Sequence, residues 1–254
     1  MTLLILTNDD GIEAPGIRAL QDALQTDAVQ NALSSSAANS VQGVIVAPDA
    51  PHSGCSHQMN RGGAIAIDQR KDEKGHYEYA IGGTPADCSR VALRHLHPEA
   101  DWVLSGINAG GNMGADVYLS GTVAAVREAV LLRKPGIALS QYRYRTQPFN
   151  WERATRLAAK VLAELMSRPI VEGEFWNVNF PAPPLDGSAD DPEMVFCEGC
   201  TQPLPLEFEV DELGFRYAGA YENRPRDSGR DVEVCLSGRI SIVKVQLWAT
   251  LQEG

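Results

Sequence analysis

The chain has 254 residues, 44% of them hydrophobic, and a formal net charge of -11, enough for one large core or slightly more than one domain. An acidic surface repels phosphate backbones and anionic lipid, so duplex nucleic acid and membrane surfaces are not expected as partners, and no apolar run approaches the ~20 residues of a spanning helix. No basic leader precedes the short apolar run Leu3–Leu6, and five cysteines without a dense framework suit reduced thiols, so a cytoplasmic protein is expected.

In chain order, Leu3–Leu6 predicts a buried strand. Pro15 and Gly16 then open a helix with Ile17, Leu20 and Leu24 at helical spacing. Residues 25–40 are polar and predict a long loop or a frayed helix end. "GVIVAPD" (Gly43–Asp49) is the second strand, followed by a Gly/Ser/His-rich loop to residue 63. "AIAID" and "YEYAIGG" flank a charged segment and predict a hairpin. Asp87 is the expected cap of a helix that carries Val91, Ala92 and Leu96 on one face and ends at Pro98. "DWVLSG" (Asp101–Gly106) predicts a strand, "TVAAVREAVLL" a helix and "GIALS" (Gly136–Ser140) a strand. Asn150 caps a long helix with Leu157, Val161 and Leu165 in register, and "FWNVNFP" alternates like a strand. Strands alternating with helices predict a three-layer, Rossmann-like α/β fold with a mostly parallel sheet, as a catalytic core over residues 1–180. After the Pro-rich segment from Pro181 come "MVF", "FRYAGAY", "VEVCL" and "RISIVKVQLW". These predict β-hairpin extensions in a 181–254 region used for oligomerisation.

Ligands of open α/β sheets bind beyond the carboxyl ends of the strands. The residues there are Asn8, Asp9 and Asp10 after the first strand, then Asp49, His52, Ser53 and Ser56 after the second. After "DWVLSG" come Asn108, Gly110, Gly111, Asn112 and Gly114, and Ser120-Gly121-Thr122 leads into a helix. Two carboxylates ~4–5 Å apart repel by roughly 3–4 kcal/mol at an effective dielectric near 20. With Arg18 and Arg61 the nearest cations in sequence, a divalent metal is the better answer. Oxygen-only donors favour Mg²⁺ or Mn²⁺. N–H groups at the Ser120-Gly121-Thr122 helix start suit an oxyanion such as phosphate. The glycines after the third strand unit do not fit G-x-G-x-x-G, which disfavours a dinucleotide.

"LTNDDGIEAPGI", "VAPDAPHSGCS", "GTPADC", "SGINAGGNMGADVYLSGTVAAVREA" and "FWNVNFP" together resemble the SurE family, the survival-protein-E nucleotidases. The resemblance implies a metal-dependent phosphomonoesterase that hydrolyses nucleoside 5′- and in some cases 3′-monophosphates. It implies one divalent ion per subunit, Mg or Mn, held by Asp9, Asp10, Ser53 and Asn108. It places phosphate on Asn112, Ser120, Gly121 and Thr122, with catalysis by Asp9, Asp10 and Asn8, and implies a homodimer or homotetramer. Asp27–Ser40 and the ending Gly238–Trp248 depart from the family's pattern.

Other chemistries fit less well. A covalent aspartyl mechanism needs carboxylates two residues apart, whereas these are adjacent. The C-x5-R pattern of cysteine phosphatases occurs twice, at Cys55–Arg61 and Cys88–Arg94, and so discriminates little. Cys197 and Cys200 form a C-x-x-C with no second pair to complete a zinc site. The alternatives are a metal-dependent nucleotide-binding transferase and a non-catalytic nucleotide-binding scaffold. His52 and His57 flank Ser53 and are candidates to approach substrate. His95 is expected at the core boundary and His97 at a helix end. Tyr142, Arg143 and Tyr144 are expected in an exposed loop, with base stacking the alternative.

Overall fold

In the computed structural model, which describes residues 1–33, 40–72, 75–185 and 191–248, the chain runs β1 (Thr2–Thr7), α1 (Pro15–Leu24), α2 (Asp27–Leu33), β2 (Val41–Pro48), β3 (Ile67–Lys71), β4 (Tyr77–Ile81) and α3 (Pro85–Val91). It continues through β5 (Trp102–Ala109), α4 (Asp116–Leu119), α5 (Gly121–Leu131), β6 (Gly136–Gln141), α6 (Trp151–Leu165) and β7 (Glu174–Phe180). The last elements are β8 (Met194–Phe196), β9 (Phe208–Asp211), β10 (Gly214–Tyr217), α7 (Asp231–Leu236) and β11 (Ile240–Gln246).

Nine strands form one sheet in the order β3-β4-β2-β1-β5-β6-β7-β11-β8. The central strands are parallel, while β3 and β11 run antiparallel to their inner neighbours. Strand alternation builds the two outer layers. Leu4 and Leu6 pack with Leu20, Leu157 and Val161 of α1 and α6, whereas Leu3 and Ile5 pack with Cys88 and Ala129 of α3 and α5. The chain leaves β1 toward β2 on one side and later adds β5 on the other. That reversal opens a crevice between the carboxyl ends of β1 and β5, where such sheets bind ligands.

The three-layer, mostly parallel α/β expectation therefore holds, and five local expectations need correction. Residues 27–33 are helical, as α2. The cap of α3 is Thr84, with Asp87 at the third helical position closing a capping box, and the helix then passes into a π turn over Ala92–Leu96. "VEVCL" is helix α7, while "MVF" and "RISIVKVQ" extend the main sheet as β8 and β11. Among the described residues, hairpin geometry after residue 180 is confined to β9–β10. His95 is exposed. Residues 34–39 of the polar segment, 73–74 of the first hairpin's turn and 186–190 of the Pro-rich segment lie outside the described residues.

Candidate active site

The site begins where β1 ends. Asn8 and Asp9 are buried and Asp10 is half-buried. Asn8 Nδ2 donates to the Gly11 carbonyl (2.8 Å), closing the turn. Gly11 takes φ +96°, a region that favours glycine. The two carboxylates then diverge to different partners. Thr122 Oγ1 donates to Asp9 Oδ1 at 2.5 Å, and the Ala109 N–H donates to Asp10 Oδ2 at 2.9 Å. Asp9 is thus fixed to the start of α5 and Asp10 to the end of β5.

α5 starts against Asp9 because position 121 has no side chain. A Cβ there would stand 2.8 Å from Asp9 Cβ and 2.9 Å from Cys55 Sγ. Ser120 caps the helix, its Oγ accepting from the Val123 N–H (3.1 Å). The N–H groups of Gly121 and Thr122 precede the first intrahelical donor and are directed along the axis, with the positive end of the helix dipole behind them. The third element is the loop after β2, where the His52 N–H donates to the Asp9 carbonyl (2.7 Å) and Ser53 is exposed in the next position. Ser56 N and Oγ donate to the Leu119 and Tyr118 carbonyls, joining this loop to the turn before α5.

Asn108 sits on β5 past an irregularity in the β5–β6 register. Its Nδ2 donates to the Gly110 carbonyl (2.9 Å), which leaves its oxygen as the group available to a ligand. Asn112 is buried, its Nδ2 donates to Ser140 Oγ (2.8 Å), and its backbone is held by Asn177 and Asn179. Tyr142 is also buried rather than in an exposed loop and stacks on Tyr221 at 6.1 Å. His57 pairs with Glu128 (2.9 Å). Cys197 and Cys200 are free thiols.

Burial pushes the Asp9 carboxyl above the ordinary aspartate range. The Thr122 hydroxyl opposes the shift and the Asp10 charge adds to it. Burial likewise raises Asp10, against the Ala109 N–H. Among the described residues neither carboxylate is paired with a lysine or arginine. Asn8 Oδ1 is buried beside them without a donor. A hard dication fits this arrangement, because every candidate donor is an oxygen and the uncompensated charge is negative. Among the described residues no three His, Cys, Asp or Glu side chains cluster as a ready-made metal centre, so amide and hydroxyl oxygens would complete the set.

The family model described as "Survival protein SurE" matches residues 4–199. The chain belongs to the SurE family. A provisionally named 5′-nucleotidase of Nostoc sp. (strain PCC 7120) is 45% identical over 244 residues, covering 96% of this chain and 99% of that one. The 5′-nucleotidase SurE 1 of Burkholderia lata is 38% identical over 183 residues, 71% of this chain and 64% of its own. The crystal structure of the SurE protein from Aquifex aeolicus superposes with a TM-score of 0.75 at 27% identity, covering 98% of this chain and 94% of that one.

The SurE match ends at residue 199, whereas the structure brings later residues close to the site. Tyr221, Arg224 and Asp231 contact the loop between β5 and α5. They are not among the residues expected at the site from the sequence. They lie more than 100 residues from the loop they touch, and "NRPRDSGRD" reads as an ordinary charged surface segment. One signal was present, a cluster of Arg and Asp just before a short apolar run. Cys55 reaches the site as well, through its closeness to Asp9. Burial and the Asp9 charge hold its thiol up, the opposite of what a cysteine nucleophile requires.

Proposed function

We propose that the protein is a divalent-metal-dependent phosphomonoesterase that hydrolyses nucleoside 5′-monophosphates, and in some cases 3′-monophosphates, to nucleoside and phosphate. One observation carries the reading. Among the described residues a carboxylate pair has no basic partner, and the missing side chain of Gly121 lets a helix start, with its free N–H groups, pack directly against Asp9. Negative donors for a cation and positive donors for an anion thus share one crevice, as a phosphate ester bound through a metal requires. The names of the relatives point to the same activity.

In this reading Asp9, Asp10, Ser53 and Asn108 hold one ion, Mg or Mn. When bound, the ion lowers the pKa of water and neutralises charge on the phosphoryl group. The chain's own residues do the rest. The Gly121 and Thr122 N–H groups and the Ser120 hydroxyl hydrogen receive the phosphate oxygens, and fixed donors of this kind act on charge as it develops. The Thr122 hydroxyl holds Asp9 in one rotamer. Asp10 is the more open carboxylate, with one oxygen on Ala109 and no donor to the other among the described residues, which supports it as the group that accepts a proton from the attacking water. Asn8 shapes the turn that presents both, and Asn112 holds the loop beyond β5. The same reading takes the assembly to be a homodimer or homotetramer formed through the 181–254 region.

The test is phosphate release from AMP with and without Mn²⁺, in the wild type and in Asp9→Asn. Release is expected to need the ion and to fall by at least 10³-fold in the variant, with an unchanged circular dichroism spectrum. Full turnover in Asp9→Asn, or equal turnover in excess chelator, refutes the reading.

A further inference from the structure

The loop from Gly110 to Leu119 links the β5 end, which carries Asn108, to the helix start that carries Ser120, Gly121 and Thr122. Gly114 takes φ +54°, and α4 spans four residues. Asn177, Asn179 and Ser140 hold the loop at Asn112, and Ser56 holds it at Tyr118 and Leu119. Between these points, at Met113–Asp116, its anchors come from the far end of the chain. Asp116 Oδ2 accepts from Tyr221 Oη (2.6 Å), Arg224 Nη1 (2.7 Å) and the Met113 N–H (3.2 Å). Arg224 Nη2 donates to the Met113 carbonyl (3.1 Å), and the Arg224 side chain has no exposed surface. Asp231 is also buried. Its Oδ2 accepts from the Gly114 N–H (2.8 Å), and its Oδ1 accepts from the Cys200 and Val232 N–H groups (2.7 and 2.8 Å). At position 114 a Cβ would stand 2.9 Å from the Cys200 carbonyl and 3.3 Å from Arg224, so the loop is pressed directly onto these anchors.

A fully buried guanidinium and a carboxylate that accepts only backbone N–H groups are expensive to desolvate. Such groups fix a geometry more than they add stability. The geometry fixed here is that of the segment leading directly into the phosphate-facing turn: the Asp116 carbonyl accepts from the Ser120 N–H (2.9 Å), one residue before Gly121. By contrast Asp9, Asp10 and Asn108 are held by β1, β5 and Thr122, with no bond to Tyr221, Arg224 or Asp231 among the described residues.

We propose that Tyr221, Arg224 and Asp231 are positioning residues that fix the Asn112–Ser120 loop and so set the affinity of the site for phosphate, leaving its affinity for the metal untouched. The inference rests on the nucleotidase reading for the identity of the anion, and on geometry for the anchor itself.

Three conservative variants test it. Tyr221→Phe keeps the ring stack on Tyr142 and removes the O–H. Arg224→Lys keeps the charge, but a single ammonium cannot reproduce the fork that reaches both Asp116 and Met113. Asp231→Asn turns an amide N–H toward a backbone donor. Inorganic phosphate binding to the Mn²⁺-loaded protein is expected to weaken five- to tenfold in each, with the Mn²⁺ dissociation constant within twofold of wild type. Amide hydrogen exchange is expected to speed up at least tenfold at Met113 and Gly114 and to stay unchanged in β1 and β5. Loss of Mn²⁺ affinity in step with phosphate affinity would show a general structural role and overturn the proposal. So would unchanged exchange at Met113 and Gly114. A wild-type enzyme that released no phosphate from AMP would remove the nucleotidase reading alone, because the exchange rates still decide whether the anchor exists.

Discussion

At the scale of single residues, the site depends on a hydrogen atom at position 121. Replacing it with a methyl group puts a carbon 2.8 Å from Asp9 Cβ and 2.9 Å from Cys55 Sγ, closer than carbon contacts allow. Alanine gains at most about 1 kcal/mol over glycine in a helix, against roughly 1–3 kcal/mol for overpacking a buried site, so stability should fall modestly as Asp9 or α5 shifts to relieve the contact. Misplacement at that point costs catalysis heavily. Gly121→Ala is expected to lose about 10²-fold in kcat/KM with a modestly lowered melting temperature and a protein still folded at the assay temperature, measured by phosphate release and calorimetry. Retained activity would mean that the closeness of α5 to Asp9 does not matter. Asp9, Asp10 and the Ser120-Gly121-Thr122 turn were legible in the sequence, because adjacent carboxylates at a strand end and a hydroxyl–glycine–hydroxyl helix start each break an ordinary local pattern. Asn112 was not legible in the same way. Its environment is made by Ser140, Asn177 and Asn179 on two other strands, and nothing within its own segment reveals a use inside the fold.

At the scale of elements, the first hairpin is tied to the body of the protein by charge. Glu78 on β4 is buried and accepts from Arg18 Nη1 of α1 and from Arg70 Nε of β3, both at 2.6 Å, while Arg70 also pairs with Glu13. Burial alone would push the Glu78 carboxyl up, but Arg18 and then Arg70 outweigh it and hold it below the ordinary glutamate range. A carboxyl lowered on folding stabilises the folded state above its unfolded pKa of about 4.3 and loses that contribution as pH falls through the lower folded value. Glu78→Gln is therefore expected to destabilise by about 1–3 kcal/mol at pH 7, less than a fully buried pair because both arginines are nearly one-third exposed. The gap to wild type should begin to narrow as pH falls past about 4.3 and close only below the lower folded value in urea titrations; a gap independent of pH would refute the ion-pair account. The hairpin was legible from its two β-rich runs, and the parallel strands from their apolar continuity. "VEVCL" was misread because alternating valines suit a strand, whereas Asp231, anchored to Gly114 and Cys200, starts a helix there. Tertiary bonds overrode local propensity.

At the scale of the whole molecule, β9 and β10 pair only with each other among the described residues. Their register sets Phe208 opposite Tyr217 and Val210 opposite Phe215. Directly opposed residues share a face, so these four side chains form one apolar surface, with Glu209 and Arg216 on the other. That surface lies in solvent: Phe208 is 52%, Val210 66% and Phe215 79% exposed. A lone two-stranded hairpin is marginal in water, and its apolar face needs a cover. On the proposed homo-oligomer reading, a second copy would supply one, since a two-fold axis sets the same patch against itself. Phe215→Asp puts a carboxylate in the middle of that patch and is expected to halve the mass seen by light scattering, whether the assembly is a dimer or a tetramer whose pairs meet through this face. The net charge of -11 per chain adds a sign. Like-charged protomers repel at long range and salt screens that repulsion, so association through the apolar face should tighten as salt rises from about 0.05 to 0.5 M. An interface built on salt bridges would loosen over the same range, and a wild-type mass of one chain at both would show that the hairpin serves something other than self-association.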